Sequence, residues 1–170
     1  ADMVDLVSLI LTGGENDFSN GGTLPSGLFL LPKLQYVVAE GVGLGGTLPA
    51  DTIANARNLT YLLLDANNIA GPLPSELFML PNLEKLDLSY NKLTGHLPEH
   101  GVSTGQLRRL ALQHNSISGT VTQYVADMKL ADGPPTTYVS NYRSSFATTG
   151  SDAAQGPAHN PDQYRSAIQI

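Results

Sequence analysis

The chain has 170 residues, 41% of them hydrophobic and only 14% charged, which is core material for one ordinary domain with a charged share well below the usual quarter. A net charge of −6 repels phosphate backbones and excludes nucleic acid as an expected partner, and no run of about 18 apolar residues offers a membrane span. There is no Cys, so packing alone must hold the fold; this fits a reducing compartment and equally a repeat fold that needs no staples. No targeting segment is visible, and a start at Ala1 rather than Met predicts a trimmed N-terminus.

In chain order, the first unit reads Leu6, Leu9, Leu11, then Phe18 and Gly22-Thr23-Leu24-Pro25, with extra residues among Gly13 to Gly21. The second is Leu34, Val37, Ala39, Val42, Leu44, then Gly46-Thr47-Leu48-Pro49. The third is Leu59, Leu62, Leu64, Asn67, Ile69, then Gly71-Pro72-Leu73-Pro74. The fourth is Leu83, Leu86, Leu88, Asn91, Leu93, then Gly95-His96-Leu97-Pro98. A fifth is Leu107, Leu110, Leu112, Asn115, Ile117, then a decayed Gly119-Thr120-Val121-Thr122. The five glycines are 24, 25, 24 and 24 residues apart. Such a period marks a stacked solenoid.

The spacing has a direct physical reading. Leu-x-x-Leu-x-Leu ends with period two, so Leu62 and Leu64 face one side of a short strand and Leu63 the other. Asn67, Asn91 and Asn115 then turn the chain, and their amides are expected to stack as a ladder bonding backbone groups of their own and the next coil. Val42 breaks that ladder in the second coil. After each Gly-x-Leu-Pro, inward pairs at helical spacing (Leu28 and Leu31, Ile53 and Ala56, Leu77 and Leu80, Val125 and Met128) predict convex arcs, with Pro in the first turn of a short helix or 3₁₀ segment. Residues 101–105 read as a loop. No single coil buries enough to stand alone, so neighbours must share one core.

The string Leu-x-x-Leu-x-Leu-x-x-Asn-x-Leu-x-Gly-x-Leu-Pro resembles the plant-type leucine-rich repeat, from residue 4 to about 129. The resemblance implies an α/β repeat: a solenoid of about five coils, a parallel sheet on the concave face, short helical or 3₁₀ arcs on the convex face, and a smaller flanking sheet. Residues 1–130 would form the solenoid and 131–170 an irregular tail or capping arm. Tyr138, Tyr142, Phe146 and Tyr164 are isolated aromatics in that tail, which reads either as flexible or as an arm anchored by them. Members of the family are mostly receptor ectodomains and enzyme-inhibiting wall proteins, which implies an extracellular or organelle-lumen location. The Cys-paired caps usual there are missing, so the ends are expected to be covered by the tail, a partner or further chain.

The register predicts which side chains line the open sheet. One column is Ser8, Tyr36, Tyr61, Lys85 and Arg109; the next is Ile10, Val38, Leu63, Asp87 and Ala111; a third is Thr12, Glu40, Asp65, Ser89 and Gln113. Tyr36, Val38, Tyr61 and Leu63 would form an apolar, aromatic cluster, with Lys85, Arg108, Arg109 and His114 as a basic end beside it and Asp87 among the candidate contacts. Aromatic and aliphatic surface with an Arg rim suits a protein interface, although single exposed hydrophobes are ordinary.

Other motifs lead nowhere chemically. Gly41-x-Gly43-x-x-Gly46 lacks the helix start a dinucleotide site needs, because Thr47-Leu48-Pro49 follows. Pro98 separates His96 from Glu99 and His100, which spoils a zinc-protease helix, and Gly101-x-Ser103-x-Gly105 has no strand leading into a nucleophile elbow. Pro72 and His96 interrupt the Thr23, Thr47 and Thr120 column, which argues against ice matching. Asn58-Leu59-Thr60 is an N-glycosylation acceptor if the chain is secreted. The expectation is therefore a non-catalytic module, without cofactor or metal, that binds a protein or peptide through the open sheet. The other reading is a structural accessory subunit held in a large assembly such as an organellar membrane complex.

Overall fold

A computed structural model describes residues 3–11, 22–97 and 106–118. Five strands, β1 (Ser8–Leu11), β2 (Tyr36–Ala39), β3 (Tyr61–Leu63), β5 (Lys85–Asp87) and β7 (Arg109–Ala111), form one parallel sheet in the order β1-β2-β3-β5-β7. A second parallel pair, β4 (Ala70–Pro72) and β6 (Lys92–Thr94), lies in the Gly-x-Leu-Pro segments.

The inward leucines make one column. Leu9 pairs in register with Val37, Val37 with Leu62, Leu62 with Leu86, and Leu86 with Leu110. The three leucines Leu62, Leu86 and Leu110 are completely buried, and so is Val37. Leu6, Leu9 and Leu11 at the end coil are only half-buried, while Val7 and Ile10 are exposed; among the described residues β1 has a neighbouring strand on one side only.

The convex side is built from a 3₁₀ turn at Ser26–Leu30, the short helix α1 (Ala50–Ile53) and a 3₁₀ turn at Ser75–Met79, with α1 packed between the other two. Pro25, Pro49 and Pro74 stand just before each arc rather than inside it, and their carbonyls accept its first bonds, as from Leu28 N at 3.0 Å and Ile53 N at 3.0 Å. Phe29 and Phe78 are buried beside Leu28 and Leu77. The periodic reading passed over them; a 3₁₀ arc lying flat on the core turns two adjacent side chains inward.

Asn67, Asn91 and Asn115 are buried, and each fastens backwards to the preceding coil as well as to its own. Asn91 Oδ1 accepts from Ile69 N at 3.0 Å, and its Nδ2 donates to Leu64 O, Leu88 O and Ser89 O at 2.9, 3.1 and 3.1 Å. Asn67 Oδ1 serves Leu44 N at 3.0 Å and Asn115 Oδ1 serves Leu93 N at 2.9 Å. Val42 is buried at the equivalent place in the second coil, yet that coil loses little, because Asn67 Nδ2 reaches back to Ala39 O at 2.6 Å. A second, convex set of bonds runs from Asn58 Nδ2 to Pro32 O at 2.6 Å and from Asn82 Nδ2 to Arg57 O at 2.8 Å.

The repeat glycine has a steric cause. Gly46 and Gly71 have φ of +75° and +82°, and a Cβ there would lie 2.8 and 2.9 Å from Cγ2 of Thr23 and Thr47 in the coil before. The same packing settles the threonine column. Thr23 pairs with Gly45 and Thr47 with Ala70, so the two threonines are not opposite each other and make no regular array. Val125, Met128, the 101–105 loop and the 131–170 tail lie outside the described residues.

Candidate binding face

The concave sheet carries the expected columns in register. Tyr36 faces Tyr61, Tyr61 faces Lys85, and Lys85 faces Arg109; in the next column Val38 faces Leu63, Leu63 faces Asp87, and Asp87 faces Ala111. Thus β2, β3, β5 and β7 bring Tyr36, Tyr61, Lys85 and Arg109 together in one row across four coils. The two tyrosine rings meet edge to face, with centroids 5.2 Å apart at 72°, and Lys85 Nζ sits 4.5 Å from the Tyr61 ring centre. Such ring and cation–π contacts fix all three side chains at a partly solvated surface.

Four members of the predicted surface are not open: Val38, Asp87, Ser89 and Ala111 are buried. Asp87 is covered by its own partners. Arg109 Nη2 lies 3.1 Å from Asp87 Oδ2, and Ser89 gives Asp87 Oδ1 both its hydroxyl at 2.6 Å and its N–H at 3.1 Å. The expected basic end is thereby partly used inside the sheet: Arg109 is bound to Asp87, and Lys85 lies on Tyr61. Arg108 stays exposed beside the row, its backbone N–H bonded to Glu84 O at 2.8 Å. Leu63 is half-buried and still reaches the surface.

The third column adds what the interface reading left out. Asp65 has its carboxyl pushed up to about 7, first by burial, then by the charges of Asp87 and Glu40; its own backbone N–H and Arg109 pull the other way. The signal was present as acids in successive coils at Glu40 and Asp65, but its strength depends on depth, which a sequence does not show. At the rim, Tyr90 and His114 stack with ring centres 4.1 Å apart at 20°. Both hold φ near +55°, at 53° and 57°, as does Ala66 at 54°, in the turn that leads into each asparagine. Among the described residues no group of three or more His, Cys, Asp or Glu is placed to hold a metal ion, and no helix is long and apolar enough to cross a membrane.

Coils stacked into a parallel sheet, an asparagine ladder and a small flanking sheet define a leucine-rich-repeat solenoid. Residues 57–117 match the family model described as leucine rich repeat, and the chain is a leucine-rich-repeat protein of the plant type. It is similar to the solved structure of PEPR1-AtPEP1, at 28% identity and a TM-score of 0.67, over 84% of this chain and 19% of that one. It is similar to the ectodomain of the Arabidopsis thaliana membrane receptor kinase GASSHO1/SCHENGEN3, solved in complex with CASPARIAN STRIP INTEGRITY FACTOR 2, at 30% identity and a TM-score of 0.62, over 74% of this chain and 15% of that one. A plant ice-binding protein is a third neighbour, at 30% identity and a TM-score of 0.55, over 62% of this chain and 34% of that one. The chain therefore spans less than a quarter of the length of the PEPR1 and GASSHO1/SCHENGEN3 chains. None of the curated proteins matches it.

Proposed function

We propose that this chain is a non-catalytic recognition module, outside the cell or in an organelle lumen, that docks a protein or peptide partner on its concave sheet. The contact residues would be Tyr36, Tyr61, Leu63, Lys85, Arg108 and Arg109, with Val38 and Asp87 supporting them from below. The observation that carries the reading is the continuous row Tyr36-Tyr61-Lys85-Arg109, which sets two locked aromatic rings beside charge across four coils. Rigid aromatics cost little entropy on binding and are the commonest anchors of interfaces. The receptor ectodomain solved with CASPARIAN STRIP INTEGRITY FACTOR 2 gives the reading a precedent in the same fold.

The test is a double substitution, Tyr61→Ala with Leu63→Ala, compared with Asp51→Ala on the convex side, in affinity purification from the native source. The concave double variant should lose a partner that wild type and the convex variant retain, with circular dichroism unchanged. Equal recovery by all three would reject the concave site. The accessory-subunit reading has its own observation: Val7, just before β1, and Ile10 on it are exposed at the outermost strand among the described residues, where a neighbouring subunit would find an open edge. Under that reading the isolated chain self-associates on size exclusion, whereas a recognition module elutes as a monomer.

A further inference from the structure

We infer that Asn58 is the attachment site of an N-linked glycan, carried on the convex shoulder of the third coil and away from the concave sheet. Asn58-Leu59-Thr60 is the sole Asn-x-Ser/Thr triplet in the sequence. A triplet alone is weak ground, since short polar patterns recur by chance; the placement of its residues adds two independent points.

The first concerns the amide. Asn58 is exposed, and its Nδ2 donates one bond, to Pro32 O in the coil before. The buried asparagines differ: Asn67 Nδ2 contacts three carbonyls, at Ala39, Leu64 and Asp65, and is fully engaged. Asn58 thus has one N–H holding the coil contact and one facing solvent among the described residues. Transfer of a sugar replaces a single hydrogen on that nitrogen. The second N–H remains to serve Pro32 O, so the folded coil accommodates the modification.

The second point concerns Thr60. The equivalent positions in the other coils are Val7, Gln35, Glu84 and Arg108, none of which carries a hydroxyl. Thr60 is the one hydroxyl residue of the five. Its hydroxyl donates to Asn58 O at 3.3 Å, a bond within its own coil that ties the two polar residues of the triplet together. Asn82, the structural twin of Asn58, makes the same backward bond to Arg57 O, yet it is followed by Leu83-Glu84 and is no acceptor. Asparagine at this position therefore serves the fold in both coils, and only the third coil adds the hydroxyl that makes the triplet an acceptor.

The donor would be an oligosaccharide on a lipid diphosphate. The bond from Nδ2 to the sugar's anomeric carbon forms, the bond from that carbon to the diphosphate oxygen breaks, the lipid diphosphate leaves with the electron pair, and the amide proton passes to a base. This inference does not depend on which partner the concave face binds; it depends on passage through a secretory compartment.

The experiment is peptide mapping of the chain isolated from its own source, after enzymatic deglycosylation in heavy-oxygen water. The peptide beginning after Arg57 should carry heavy-oxygen Asp at position 58; unlabelled Asn58 overturns the inference. Expression behind a secretory leader supplies the second arm. Wild type should run as one deglycosylation-sensitive step above the bare chain, and Thr60→Ala should lose the step while keeping the thermal midpoint of deglycosylated wild type. Glu84→Thr should add a second step at Asn82. Secreted wild type without a step, alongside a Glu84→Thr variant that gains one, refutes the assignment.

Discussion

Replacing Asn91 by Ala tests the ladder that joins the coils. Asn91 is buried and makes four backbone bonds, but their loss is unequal. Leu64 O keeps a bond from Asn67, Leu88 O keeps one from Asn115, and Ser89 O keeps one from Ala66 N. Ile69 N–H, inside a coil whose Ile69 side chain is almost fully buried, loses its acceptor outright. An orphaned buried N–H costs about 1–3 kcal/mol and each of the three weakened carbonyls about 0.5 kcal/mol more, so the sum is about 2.5–4.5 kcal/mol. For a solenoid of this size that lowers the thermal midpoint by roughly 10 °C. Urea titration followed by circular dichroism measures it. Asn67→Ala should cost more, since no asparagine at position 42 shares Ala39 O. A loss of less than about 1 kcal/mol for Asn91→Ala would refute the ladder as a source of stability.

Gly71→Ala should cost roughly 2–3 kcal/mol, from left-handed backbone and from the 2.9 Å approach to Thr47 Cγ2, and adding Thr47→Ser should recover the steric part, measured by thermal melts of both variants. Asp65 binds its proton more tightly folded than unfolded, since about 7 stands against 3.8; stability is therefore present in full below about pH 4 and declines as pH rises through 7. Asp65→Asn should flatten that slope, by about 1–2 kcal/mol once partial solvent screening is allowed for, and an unchanged pH profile of unfolding would contradict it. Asp87→Asn removes one of the charges acting on Asp65, so NMR titration should find the Asp65 midpoint lowered. The same substitution weakens the Arg109 pair and should cost about 1–3 kcal/mol in a denaturant titration.

The coil and its register were legible because every coil repeats the same burial problem: Leu62, Leu86 and Leu110 line up for the reason they recur. The concave rows were legible for the same reason, since period two assigns Tyr61 and Leu63 to one face once Leu62 is buried. Depth was not. Val38 and Asp87 share the face with Tyr36 and Lys85 but sink, because the water a row meets depends on which side chains fold over it, as Arg109 and Ser89 do over Asp87, and no pattern of letters encodes that. The charges were misread in kind. Lys85 and Arg109 looked like an outward basic end, yet each is held by a neighbour one strand away, and such pairing depends on side-chain reach. The threonine column failed on geometry: equal spacing along the chain did not give equal height in the flanking sheet.

The asparagines fasten backwards, and that gives the solenoid a direction in time. A coil emerging from synthesis has its N–H groups at Leu44, Ile69 or Leu93 waiting on an asparagine that comes more than twenty residues later. Each turn is therefore latched by its successor, so a growing chain always ends in one unlatched turn. Damage to a late coil should loosen its elder neighbour, while damage to an early one leaves the younger latches shut.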